Sequence, residues 1–108
     1  MIKSEITEKL KCFEAVGCVV YTLNFNRYTP TGIKGLPDHI IFYPKNNLII
    51  FCEVKIGRDK ENPKQEKFRK MIESYSSKKI KYLNITDKNI NQTIDTIANW
   101  INGMDPLS

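Results

Sequence analysis

The segment from Gly35 to Lys55 constrains this chain more than any other. It opens with Gly35-Leu36-Pro37-Asp38, passes through two apolar runs separated by Pro44-Lys45-Asn46-Asn47, and closes with Glu53-Val54-Lys55. Pro and Asn are turn residues, because one presets φ and the other tolerates tight backbone. The pattern therefore predicts strands over 38–43 and 48–56, joined as a hairpin. Side chains on a strand alternate between faces, so Glu53 and Lys55 point one way and Val54 the other. With Asp38 opening the antiparallel neighbour, its carboxylate can meet Glu53 across the pair. The first half of the 48–56 strand is apolar on both faces, as a central strand covered by helices should be. Charges at the end of such a strand are costly unless paired or metal-bound. Two hard oxygen ligands beside an ammonium can hold Mg²⁺, and such a site suits phosphodiester hydrolysis. The competing reading of Glu53 and Lys55 is a structural ion pair at the strand's solvated end.

The rest of the chain supplies the frame. Ser4 can cap a helix over 5–16, in which Ile6, Leu10 and Phe13 form one apolar stripe and which Gly17 ends. Residues 18–23 are β-branched and aromatic and read as a strand. Asn62-Pro63 opens a helix running to about Tyr75, with Phe68, Met71, Ile72 and Tyr75 inward. Ile80 to Ile85 reads as a strand. Residues 88–102 read as a helix with Ile90, Ile94, Ile97, Ala98 and Ile101 on one face. The order α-β-β-β-α-β-α predicts an α/β sandwich with a mixed sheet. Residues 1–108 make a single domain, and a hydrophobic content of 41% is enough for one modest core.

Several further residues are candidates for the site. Glu5 lies about 100° from the centre of the Ile6/Leu10/Phe13 stripe and Glu8 about 160°. Glu5 can therefore reach a metal from the border of the buried face, and Glu8 faces water. Both also suit a helix N-terminus on charge alone. Gln65 can hydrogen-bond an attacking water or a phosphate, and it equally occupies the third helical position after Asn62, where a Gln completes a capping box. His39 follows Asp38 and so points to the opposite face, a structural position. The long polar stretch from Asn24 to Pro37 offers Arg27, Tyr28 and Lys34 to phosphates and bases.

Charge and cysteine usage bound the partners. Seventeen Lys+Arg stand against 12 Asp+Glu, for a net charge of +5, which fits a polyanion such as nucleic acid. Cys12, Cys18 and Cys52 form no CxxC pair, and they read as reduced core or near-core residues of a cytoplasmic protein. With one histidine and no CxxC pair, the sequence argues against a zinc site. No apolar run approaches membrane-spanning length, and the charged first residues do not read as a signal peptide.

Taken together, Glu5 on a first helix, Gly35-x-Pro37-Asp38, Glu53-x-Lys55 and then Gln65 resemble the PD-(D/E)XK nuclease superfamily. The Gly-x-Pro-Asp form followed by Gln resembles its VRR-NUC branch, over about residues 4–85. The resemblance implies a restriction-endonuclease-like fold in a bacterial or phage-encoded protein. It also implies that Asp38, Glu53, the Val54 carbonyl and Glu5 bind Mg²⁺ or Mn²⁺, that Lys55 acts on the attacking water, and that Gln65 supports it. It implies DNA as substrate, branched or junction DNA in particular, cut by a homodimer that resembles Holliday-junction resolvases. The helix after the third strand or the final helix with Trp100 would be the contact surface, unless Trp100 completes the monomer core. Two rival readings remain: an inactive nucleic-acid-binding module on the same fold, and a restriction-like enzyme cutting defined sequences.

Overall fold

The computed structural model describes residues 3–23, 35–58, 60–75 and 77–103. Helix α1 spans Lys3–Lys11 and tightens into a 3₁₀ turn over Cys12–Val16. Strands β1 (Val19–Thr22), β2 (His39–Tyr43) and β3 (Leu48–Lys55) follow, then helix α2 (Pro63–Ser74), strand β4 (Ile80–Thr86) and helix α3 (Ile90–Ile101). The first helix thus starts earlier than its cap signal predicted, and Ser4 lies inside it. The chain turns out of the 3₁₀ segment through Gly17 at φ 102°, where its N–H and that of Cys18 reach back to Glu14 and Phe13. That positive φ suits glycine.

One four-stranded sheet runs in the order β1-β2-β3-β4. The first two pairings are antiparallel and β3–β4 is parallel, so the sheet is mixed. Pro44–Asn46 and Asn47, in the left-handed region at φ 60°, make the β2–β3 turn. The parallel pair needs a crossover, and α2 is that crossover.

Period-two alternation divides the molecule into layers. Leu48, Ile50, Cys52 and Val54 point to one face, where they are buried with Ile41, Ile85, Ile6 and Leu10 of α1, and Ile90 and Ile97 of α3. Full burial of each such aliphatic side chain contributes about 1.5–3 kcal/mol. Phe51, Glu53 and Lys55 point to the other face. There Phe51 meets Phe68 of α2 edge-on at 5.2 Å, and Phe68 tilts against Tyr82 at 6.3 Å. So α1 and α3 cover one face, and α2 covers the β3–β4 half of the other.

Two expectations need correction. Met71 and Tyr75 are exposed rather than inward, because the line of Gln65, Phe68 and Ile72 faces the sheet, Met71 lies on the helix flank, and Tyr75 is the extended residue that follows the last turn. Cys12 is exposed on the 3₁₀ turn, whereas Cys18 and Cys52 are buried; all three are free thiols. Trp100 packs against the core, with the Lys81 ammonium over its ring at 5.1 Å, in line with the reading in which it completes the monomer core. No helix among the described residues is long and apolar enough to cross a membrane.

Candidate active site

Strand parity brings Asp38 and Glu53 together. His39 opposes Cys52, so one step back along β2 sets Asp38 opposite Glu53 on the face that α2 covers. The backbone N–H of Val54 donates to Asp38 Oδ2 at 2.8 Å, a charge-assisted bond that fixes the carboxylate at the strand end. One further step would set Pro37 opposite Val54. Proline has no N–H to donate, so the ladder cannot continue there in the usual way. In a strand, the N–H and C=O of one residue point to the same lateral side. The Val54 carbonyl therefore looks toward Asp38, and Pro37 offers it no donor.

Glu53 is 2% exposed. Its Oε1 accepts from Gln65 Nε2 at 3.1 Å and lies 3.6 Å from Lys55 Nζ. Its Oε2 is buried and has no hydrogen-bond partner among the described residues. Burial first, and the neighbouring Asp38 carboxylate second, push the Glu53 acid up to about 8, against a smaller opposing pull from Lys55. An ionised Glu53 would leave Oε2 orphaned beside a second carboxylate, a costly arrangement. Either a proton shared with Asp38 or a cation between the two removes that cost.

Gln65 closes the site from α2. Asn62 caps this helix: its Oδ1 accepts from the Gln65 N–H at 2.9 Å, while the Asn62 N–H donates to Gln65 Oε1 at 3.0 Å. The same Oε1 accepts from Lys55 Nζ at 2.8 Å. The capping-box reading of Gln65 is thus what the structure shows, and the same side chain also bonds Lys55 and Glu53. Its amide cannot be turned over, since that would aim the NH₂ group at two donors. Gly35 locks the other side. It sits at φ 97°, and a Cβ there would come within 2.7 Å of the Lys64 carbonyl oxygen. Only glycine lets the loop before Asp38 lie against the first turn of α2.

Asp38, Glu53, Val54, Lys55 and Gln65 are therefore gathered at one place. Glu5 is the exception. It is exposed on α1, whose buried residues Ile6 and Leu10 pack on the opposite face of the sheet. Among the described residues no group of three or more His, Cys, Asp or Glu is placed to hold a metal. Arg27, Tyr28 and Lys34 lie outside the described residues. His39 is buried on the face away from the site, with Nδ1 3.2 Å from Thr22 Oγ1, and burial lowers its pKa. Sequence reasoning missed Tyr82. It pairs with Phe51 and so shares the face of Glu53, and its hydroxyl is buried without a hydrogen-bond partner among the described residues. Reading the parallel β3–β4 register would have placed it there.

No protein-family model matches the sequence, nor does any curated protein. A solved structure of a VRR_NUC domain superposes on the chain with a TM-score of 0.59. The chain has the VRR-NUC fold. The match covers 86% of this chain and 94% of that one at 22% sequence identity, a likeness of architecture. Within the VRR-NUC fold, the sheet-end carboxylates and the Gln65 that joins them to α2 are this chain's own polar constellation.

Proposed function

We propose that the chain is a divalent-metal-dependent DNA endonuclease acting on branched DNA as a homodimer. The observation that carries this reading is the half-buried Asp38 carboxylate set against the buried Glu53, whose Oε2 lacks a hydrogen-bond partner among the described residues. Two carboxylates and the Val54 carbonyl are hard oxygen donors, and Mg²⁺ or Mn²⁺ is held by few protein oxygens with waters completing the shell. A bound cation of this kind supplies an activated water and charge neutralisation at a phosphate.

The chain's own groups then divide the work. Asp38 and Glu53 orient the site, and burial of Glu53 keeps bulk water from its inner oxygen. Lys55 Nζ is held by Gln65 Oε1, so its positive charge is fixed where negative charge develops on the phosphoryl oxygens. The net charge of +5 favours approach of a polyanion. One site per chain, and a four-way junction with two-fold symmetry, make a two-fold dimer the fitting assembly for paired cuts.

The test is digestion of linear duplex, single strand, flap, and three- and four-way junctions with Mg²⁺ or Mn²⁺, alongside light scattering. Cleavage should vanish in Asp38→Asn. If that variant keeps parental turnover at saturating metal, the site is misassigned. A monomer that cuts linear duplex as fast as junctions removes branch selectivity and leaves the nuclease. Binding without cleavage under any metal favours the inactive module.

A further inference from the structure

The sheet face that bears Asp38 and Glu53 is covered by α2 over β3 and β4 only. On its β1–β2 half, Val19 remains 38% and Tyr21 58% exposed. Tyr21 opposes Ile40, and Asp38 lies two residues before Ile40 on the same face. Diagonal neighbours of this kind stand about 7–8 Å apart, within reach of an aromatic side chain. A large ring, more than half open to solvent, therefore flanks the candidate metal ligands.

The opposite flank is basic. Gly35 packs against the main chain of Lys64, which sets the first turn of α2 beside the Asp38 loop. Lys64 and Lys67 are exposed, and neither enters an ion pair among the described residues. Farther along the helix, by contrast, Arg69 is held by Glu61 and Glu73, and Lys70 by Glu66. A ring on one side, ammonium groups on the other and carboxylates between them match the parts of one nucleotide strand: base, phosphate and scissile bond. A base inside a duplex is already stacked on its neighbours. Only an unpaired one can lie on Tyr21.

We propose that Tyr21 stacks on an unpaired nucleobase beside the scissile phosphate, so that the site selects DNA with unpaired nucleotides at the cut. This rests on the nuclease reading of Asp38 and Glu53. It makes Tyr21 a specificity-determining residue, with Lys64 and Lys67 receiving the adjoining phosphates.

The test is the fluorescence of a short single strand carrying 2-aminopurine, bound in Ca²⁺ buffer. Binding should quench the probe. Tyr21→Phe keeps the ring and should keep the quench. Tyr21→Leu keeps apolar bulk on the edge strand but loses the π face, and affinity should fall about tenfold with the quench lost. The salt dependence of binding should be unchanged, because the phosphate contacts remain. Parental affinity and quench in Tyr21→Leu, or equal damage from Tyr21→Phe, would overturn the proposal. So would a Tyr21→Leu variant that dissociates a dimer in light scattering yet still quenches, which would give this face to a second copy. Thermal melts identify a misfolded variant; should Tyr21→Leu misfold, Tyr21→Thr, a β-former suited to an exposed strand position, takes its place with the same expected loss, and parental affinity and quench in it would overturn the proposal. If the parent chain quenches the probe but cuts no DNA under Mg²⁺ or Mn²⁺, the nuclease reading falls and the stacking contact stands.

Discussion

Replacing Glu53 with Gln should stabilise the metal-free protein while removing its activity. The Glu53 acid is raised from 4.5 to about 8 in the folded chain, chiefly by burial and then by Asp38. Between those two values the unfolded chain has released the proton and the folded chain still holds it. Folding then takes up a proton, so stability falls as pH rises through this window, by about 1.4 kcal/mol per pH unit. The loss is absent below the unfolded value and complete above the folded one. Across the whole window it is on the order of 5 kcal/mol. Gln pays none of this, keeps an acceptor for Gln65 Nε2, and offers an N–H toward Asp38. Urea unfolding in chelator at pH 5 and pH 8 measures the effect. Glu53→Gln should match the parent near pH 5 and exceed it by several kcal/mol near pH 8, which for a domain of this size is a rise in Tm of more than about 10 °C. Mg²⁺ should restore stability to the parent by mass action and leave the variant unchanged. A stability difference independent of pH, or a less stable variant at pH 8, would refute the electrostatic account of the site.

Lys55→Ala should abolish cleavage while Mn²⁺ affinity by calorimetry and DNA affinity by gel shift largely persist; equal loss of all three would mark a structural pair with Glu53. Gly35→Ala, which forces a Cβ to 2.7 Å from the Lys64 carbonyl at positive φ, should lower stability by about 1–3 kcal/mol in denaturant titration and reduce turnover by displacing Gln65. DNA binding should weaken steeply with NaCl, and Lys64→Ala with Lys67→Ala should lower the slope of log affinity against log salt by about 2; an unchanged slope removes the start of α2 from the phosphate path.

Much of this was legible because strands report their faces in sequence. The parity of Glu53 and Lys55, and the turn at Pro44-Lys45-Asn46-Asn47, sufficed to set Asp38 against Glu53. Asn62-Pro63 with Gln65 marked the start of α2 through local bonding alone. What was not legible depended on packing between elements. Met71 and Tyr75 have the spacing of inward residues, yet α2 rests on one half of the sheet and turns Met71 to its flank, and the helix ends at Ser74, one residue before Tyr75. Glu5 borders its own helix's apolar stripe, but that stripe faces the other side of the sheet. The 3₁₀ ending of α1 follows from where the chain must turn at Gly17, which no helical periodicity encodes.

The double duty of Gln65 Oε1 has a consequence for how such a chain can change over generations. The stretch from Asn62 to Gln65 is at once the start of a helix and the clasp on Lys55, so its length is frozen: one residue inserted or removed there would undo both at a stroke. The connector before it is under no such rule, since the closure cost of a loop grows only slowly with its length. Insertions and deletions among descendants of this sequence should therefore accumulate at Gly57–Lys60 and stop sharply at Asn62, leaving a fixed ruler of three residues beside a segment free to drift.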